Sequence, residues 1–187
     1  MTKVVKLKTI GLFLIGLLAA SSGRADEQIL QFMEDRWTHA LMRQAGDEAN
    51  GEPLALGRAN CVDKRALDRR QRNTARRLGQ VFERSGVHID VLATSEWCRS
   101  IETAKTLELR PVSIEPALNP SASDDTDASE RILELLDSMR RSETALFVTH
   151  STNIKALTAR DTIPGEVVVI RMRPGEELEV IGIFKPD

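Results

Sequence analysis

Short runs rich in apolar and β-branched residues alternate with stretches of helical period along this chain. That alternation constrains its fold more than any other feature. WTHALMR (Trp37 to Arg43), HIDVLATS (His88 to Ser95) and TALFVTH (Thr144 to His150) read as strands, with a shorter one near Val112 to Ile114. GEVVVIRMRP and ELEVIGIFKP read as two closing antiparallel strands. Between the strands, DEQILQFMEDR (Asp26 to Arg36) predicts a short amphipathic helix with Ile29, Phe32 and Met33 on one face. Lys64 to Ser85 predicts a longer helix that buries Ala75, Leu78, Val81 and Phe82. Further helices are expected from Cys98 to Leu107, from Ser129 to Arg141, and from Ser151 onward. Strands alternating with helices predict an α/β fold, a three-layer α/β/α sandwich around a mostly parallel sheet. One long gap, QAGDEANGEPLALGRANCVD, holds three glycines and a proline and reads as a loop. A loop of that length inside a compact domain is usually functional or mobile.

The first 25 residues stand apart. Lys3, Lys6 and Lys8 precede an apolar run from Ile10 to Ala20, and Gly23 and Ala25 sit at −3 and −1 to a cut before Asp26. This is the layout of a cleaved secretory signal peptide. The apolar run is short for a membrane span, which needs about 20 such residues. The expectation is therefore an exported protein, periplasmic or secreted, with no stable membrane anchor after cleavage and one domain over residues 26–187. The leader takes four basic residues with it. The rest carries 22 basic and 28 acidic residues, a net charge of −6. An acidic balance argues against nucleic acid as a partner. The arginines between residues 65 and 84 then read as the solvated face of a helix.

Cys61 and Cys98 are the only cysteines. In an oxidising compartment an even pair suggests a disulfide closing a long loop, the alternative being two separate buried thiols. Two cysteines and three scattered histidines do not make a zinc site.

In open α/β sheets ligands sit beyond the carboxyl ends of the strands. Here one strand ends in Arg43-Gln44, the second runs through Glu96 and Trp97 to Arg99, and the third ends in His150. Two guanidiniums grip a phosphate through several N–H donors and keep their charge at any working pH. A histidine beside them stabilises phosphoryl charge or moves a proton. Singly, each residue has a plainer reading, a surface ion pair or a hydrogen-bonded structural histidine. Together they suggest an anion pocket.

These residues resemble the histidine phosphatase superfamily, also called phosphoglycerate mutase-like. LMRQA resembles its opening arginine-histidine-glycine/alanine motif, and RALDRRQRNTARRLGQVF the helix that follows. VLATSEWCRSIETAKTL resembles its second-arginine segment, LFVTHSTNIKALT its second-histidine segment, and GEVVVIR the next strand. The match runs from about residue 37 to residue 172. It is nearest to small exported members that share the pieces Asn60-Cys61 and Trp97-Cys98-Arg99. The resemblance implies a phosphohistidine mechanism without metal or other cofactor. It places Arg43, Arg99 and His150 around a phosphoryl group, and Arg65 as a further contact. At the nucleophile's position stands Gln44, whose amide is neither a base nor a useful nucleophile. Where many members carry an acidic proton donor the chain reads PALNPSASDD. Asn119 cannot act as an acid, and nothing in the sequence places Asp124 or Asp125 in the pocket.

His39 lies too far upstream on the same strand to replace the missing nucleophile, and Asp47 and Glu48 beside two arginines favour ion pairs. The expected protein binds a small phosphorylated or anionic ligand with impaired turnover, a pseudophosphatase, and a protein partner is left open. The alternatives are an active phosphomonoesterase that uses a different nucleophile, an engineered Gln44 variant of such an enzyme, and an envelope interaction scaffold.

Overall fold

The computed structural model describes residues 28–46, 61, 66–120 and 125–185, without the side chains of 125 and 126. The expected leader, Arg65, Asp47, Glu48 and Asp124 lie outside those residues. Six strands form one mixed sheet: β1 (Thr38–Arg43), β2 (Val91–Thr94), β3 (Val112–Ile114), β4 (Ala145–Thr149), β5 (Val167–Arg171) and β6 (Glu179–Phe184). Their order is β3-β2-β4-β1-β5-β6. The first four strands run parallel, β5 is antiparallel to β1, and β5 and β6 pair antiparallel.

Both faces of this sheet are covered, which is why its strands are nearly continuous apolar runs. Successive side chains point to opposite faces. Ala40, Met42, Leu146, Val148, Val167 and Val169 join a core with Leu78 and Phe82 of helix α1 (Arg69–Ser85) and Ala104 of helix α2 (Cys98–Thr106). Leu41, Ala145, Phe147, Val168 and Ile170 join a second core with Ile132 and Leu136 of helix α3 (Asp125–Asp137) and Ile154 of helix α4 (Ser151–Thr158). This is the three-layer α/β/α arrangement.

Helix α1 starts at a capping box. Asp68 accepts from the Gln71 amide at 2.8 Å while Gln71 Oε1 accepts from the Asp68 amide at 2.8 Å. It ends at Gly86, whose φ of 74° suits glycine. Gly79 lets α1 lie directly on the end of α2, for a Cβ there would meet the Leu107 carbonyl oxygen at 2.0 Å.

Sequence expectations shift at three helical segments. Helix α1, expected from Lys64, begins at Arg69 because Asp68 is its extended N-cap, and Val81 is only partly buried on its face. The first helical segment is a turn over 28–31 followed by a 3-10 turn, Phe32–Glu34. Its buried side is Leu30 and Met33, whereas Phe32 is 45% exposed. A segment this short presents only one turn to the core. Helix α3 begins at Asp125, four residues before the expected start, and stops at Asp137. Acidic residues in a first turn complement the positive end of the helix dipole, so the polar run that looked like loop is the helix start.

Candidate active site

The carboxyl ends of β1, β2 and β4 lie side by side, and each delivers part of one pocket. Register does this directly. Arg43 pairs with Thr149, and the Gln44 amide donates to the Thr149 carbonyl at 2.9 Å, so Gln44 flanks His150 across the parallel strands. His150 is the N-cap residue of α4 and only 2% exposed. Arg99 sits in the first turn of α2, just after β2, and is 7% exposed. Arg43 is half-buried and donates to the Thr162 carbonyl.

Trp97 and Ser95 join these groups. The Trp97 ring meets the His150 ring edge-on at 5.3 Å, and the Arg99 guanidinium lies 4.4 Å from the Trp97 ring centre, a cation–π contact. Ser95 Oγ and His150 Nε2 are 2.9 Å apart. Burial, then the charges of Arg99 and Arg43, lower the His150 pKa to about 3. At neutral pH the pocket therefore holds two guanidiniums and an uncharged imidazole.

Gln44 is fully buried. Its Oε1 accepts from the Gly46 amide at 2.7 Å, which leaves Nε2, a double donor, without a partner among the described residues. Gly46 is needed at this bend. A Cβ there would stand 2.9 Å from Gln44 Oε1, 3.1 Å from Leu67 and 3.2 Å from the Arg99 Cβ. The turn after β1 is thus pressed against the helix that carries Arg99. The Ala45 amide adds a bond to Thr103 Oγ1 at 3.0 Å, one turn farther along α2.

Helix α2 is also the anchor for what precedes α1. Cys61 and Cys98 form a disulfide, with their Cα atoms 5.2 Å apart. Glu102 accepts from the amides of Ala66 at 2.7 Å and Leu67 at 2.9 Å, and it pairs with Arg72 at 3.1 Å. Arg99 lies between the disulfide and this carboxylate. Its position is fixed by a covalent tie and three hydrogen bonds.

Asn119 does something other than proton transfer. Its Oδ1 accepts from the Glu96 amide and its Nδ2 donates to Glu96 Oε2, both at 2.9 Å. Asn153 Nδ2 donates to the carbonyls of Leu118 at 2.9 Å and Asn119 at 3.2 Å, which ties this turn to α4. His39 stands elsewhere. It pairs in register with Ile170 on β5, four residues before Arg43 and roughly 13 Å away along the strand.

Arg43, Gln44, Arg99 and His150 are therefore brought together, and His39 is kept apart. Ser95, Trp97, Glu96, Glu102 and Gly46 had no assigned role in the sequence reading. Their signal was present for Trp97, an aromatic two residues from Arg99. It was absent for Glu102, whose partners are backbone amides.

No protein-family model matches the chain, and no curated protein matches it. Solved structures do. The protein histidine phosphatase SixA complexed with tungstate superposes with a TM-score of 0.60 at 15% identity, over 80% of this chain and 97% of that one. A protein from Nakamurella multipartitia assigned as a phosphohistidine phosphatase SixA gives 0.59 at 17% identity, over 81% and 96%. A mycobacterial glucosyl-3-phosphoglycerate phosphatase with VO3 bound gives 0.58 at 13% identity, over 80% and 99%. The chain has the fold of the histidine phosphatase superfamily.

Proposed function

We propose that this protein is an exported binder of phosphoryl groups whose catalytic step is disabled at Gln44. The observation that carries this reading is the state of that side chain. Gln44 is buried beside Arg43, and Gly46 holds its carbonyl, so the amide nitrogen, unpartnered among the described residues, remains as a hydrogen-bond donor. A buried donor without a partner costs about 1–3 kcal/mol, and a bound oxyanion would recover it. Two guanidiniums supply the charge and the neutral imidazole supplies a group that gains a proton as negative charge arrives. An amide nitrogen has its lone pair delocalised into the carbonyl, so it does not form the covalent phosphoryl intermediate that an imidazole would.

One observation favours turnover by another nucleophile, the 2.9 Å contact between Ser95 and His150. Against it, an imidazole with a pKa of about 3 is a weak base for activating a serine hydroxyl. Binding without efficient hydrolysis is the better reading.

The test is an aryl phosphate assay on the native protein and its Gln44→His variant, beside phosphate binding by calorimetry. A silent native protein that binds phosphate supports the reading. No affinity for phosphate or simple phosphomonoesters at millimolar levels would end it, and native turnover lost on Ser95→Ala would give the alternative the lead.

A further inference from the structure

A second charged cleft opens at the other end of the sheet. It has a volume of about 600 Å³ and is lined by Trp37, Arg36, Arg141, Arg171 and Arg173, with Glu34 and Asp35. Trp37 immediately precedes β1 and Arg43 closes it, so the two sites are separated by roughly 20 Å along one strand.

The walls of this cleft are built. Thr144 Oγ1 donates to the Met33 carbonyl at 3.1 Å, which holds the turn bearing Arg141 against the turn bearing Glu34 and Asp35. The Met172 amide donates to the Trp37 carbonyl at 2.9 Å, which holds the Arg173 side in place. Arg171 is largely covered and committed to Asp35 at 2.9 Å and Glu179 at 3.3 Å. Arg173 pairs with Glu176 at 3.0 Å. Arg36 and Arg141 are exposed and have no hydrogen bond or ion pair among the described residues. Glu34 is the one lining acid not matched by an arginine there. Glu176 and Glu179 at its edge balance the charge of the whole cluster, so the donors available to an anion are the guanidiniums of Arg36 and Arg141.

Trp37 has φ of 64°, in the left-handed region that a bulky side chain rarely adopts. Glycine would suit that backbone. The chain instead places an indole there, partly exposed at the cleft wall. Strained residues of this kind persist where the surroundings impose them, often at ligand contacts. An indole face offers stacking to a flat ring, and free guanidiniums offer paired donors to an oxyanion.

We infer that this cleft is a second binding site, for a small ligand that carries a phosphate or carboxylate on a flat ring, and a nucleoside monophosphate is the probe we choose. The site is independent of the phosphoryl pocket and stands whether or not that pocket binds.

The chain has two tryptophans, Trp37 and Trp97, so the indole N–H signals in an NMR spectrum report the two sites separately once Trp37→Phe assigns them. Adenosine monophosphate should shift the Trp37 signal with a midpoint on the order of 1 mM or tighter. The double variant Arg36→Ala, Arg141→Ala should weaken that midpoint at least about tenfold while the response of the Trp97 signal to the same titration matches that of the native protein. Both arginines are exposed, so the fold should survive, and the dispersed Trp97 signal verifies it. A Trp37 signal that does not move up to about 10 mM would overturn the proposal. So would an unchanged midpoint in the double variant, or a response to adenosine equal to that of the monophosphate.

Discussion

Two buried histidines on neighbouring strands make an internal control for this protein. His39 on β1 is 1% exposed and His150 at the end of β4 is 2% exposed. Burial lowers both, His39 to about 4 and His150 to about 3. Their surroundings differ. His39 Nδ1 accepts from the Ala145 amide at 3.3 Å, its ring stacks on Phe147 at 6.4 Å, and the charge acting on it is that of Glu143, which raises its pKa. His150 meets a hydroxyl, an indole and two guanidiniums that lower its pKa further. A buried neutral histidine is thus an ordinary core feature. What separates a site from a core is the gathering of cations around the ring, an arrangement that favours an incoming anion.

The largest expected effect contrasts restoring the missing group with altering the control. Gln44→His should raise aryl phosphate hydrolysis by at least about a thousandfold over the native protein. His39→Gln should leave it unchanged. Steady-state rates on the purified variants check both. A Gln44→His protein that binds phosphate yet stays silent would mean that the pocket lacks more than a nucleophile.

Next comes the charge that only one histidine feels. Arg99→Ala removes a guanidinium buried against Trp97 and should weaken phosphate binding by about a hundredfold, near 3 kcal/mol. The same change leaves the surroundings of His39 intact. Calorimetric titration measures the loss. A change of less than about threefold would show that Arg99 is a structural partner of Trp97 and not a ligand.

Stability against acid tests both rings at once. Each histidine has a folded pKa below the ordinary 6.5, so between pH 6.5 and the folded value the unfolded chain holds a proton that the folded chain lacks. Stability is therefore present above pH 6.5 and falls as pH drops toward 4 for His39 and 3 for His150. From pH 6.5 to 5 the expected loss is about 2 kcal/mol for each ring. Urea unfolding across this range should show a flatter acid limb in His39→Gln. Saturating sulfate should flatten the contribution of His150 alone. If sulfate protected nothing, His150 would be a core histidine like its neighbour.

How much of this was legible in the sequence follows from what each residue depends on. The strands were readable because both faces of the sheet are buried, which makes VLAT, ALFVT and VVVIR continuous apolar runs. Helix α1 was readable from Ala75, Leu78 and Phe82, three positions on one face. The start of α3 was hidden because Asp, Thr and Ser look like loop residues and serve equally well in a first turn. Arg43, Arg99 and His150 were legible as strand-end residues. The orientation of the Gln44 amide was not, since it depends on a bond to Gly46 that forms only when the turn folds back on α2. Nor was the bond from the Ala145 amide that holds His39, which joins groups 106 residues apart.

The smallest expected effect is also the most specific to His150. Sulfate stays a dianion from pH 7 to pH 5, so any change in its affinity comes from the protein. A dianion beside His150 offsets the two guanidiniums and raises the proton affinity of the ring. Binding should then take up a proton and tighten as pH falls, on the order of fivefold between pH 7 and pH 5. Titrations in buffers of different ionisation heat measure the proton directly. His150→Gln should abolish the uptake and the pH dependence, whereas His39→Gln should keep both, because His39 lies roughly 13 Å along the strand from Arg43. Uptake that vanished in His39→Gln and survived in His150→Gln would reverse the assignment and place the anion at the other end of the sheet.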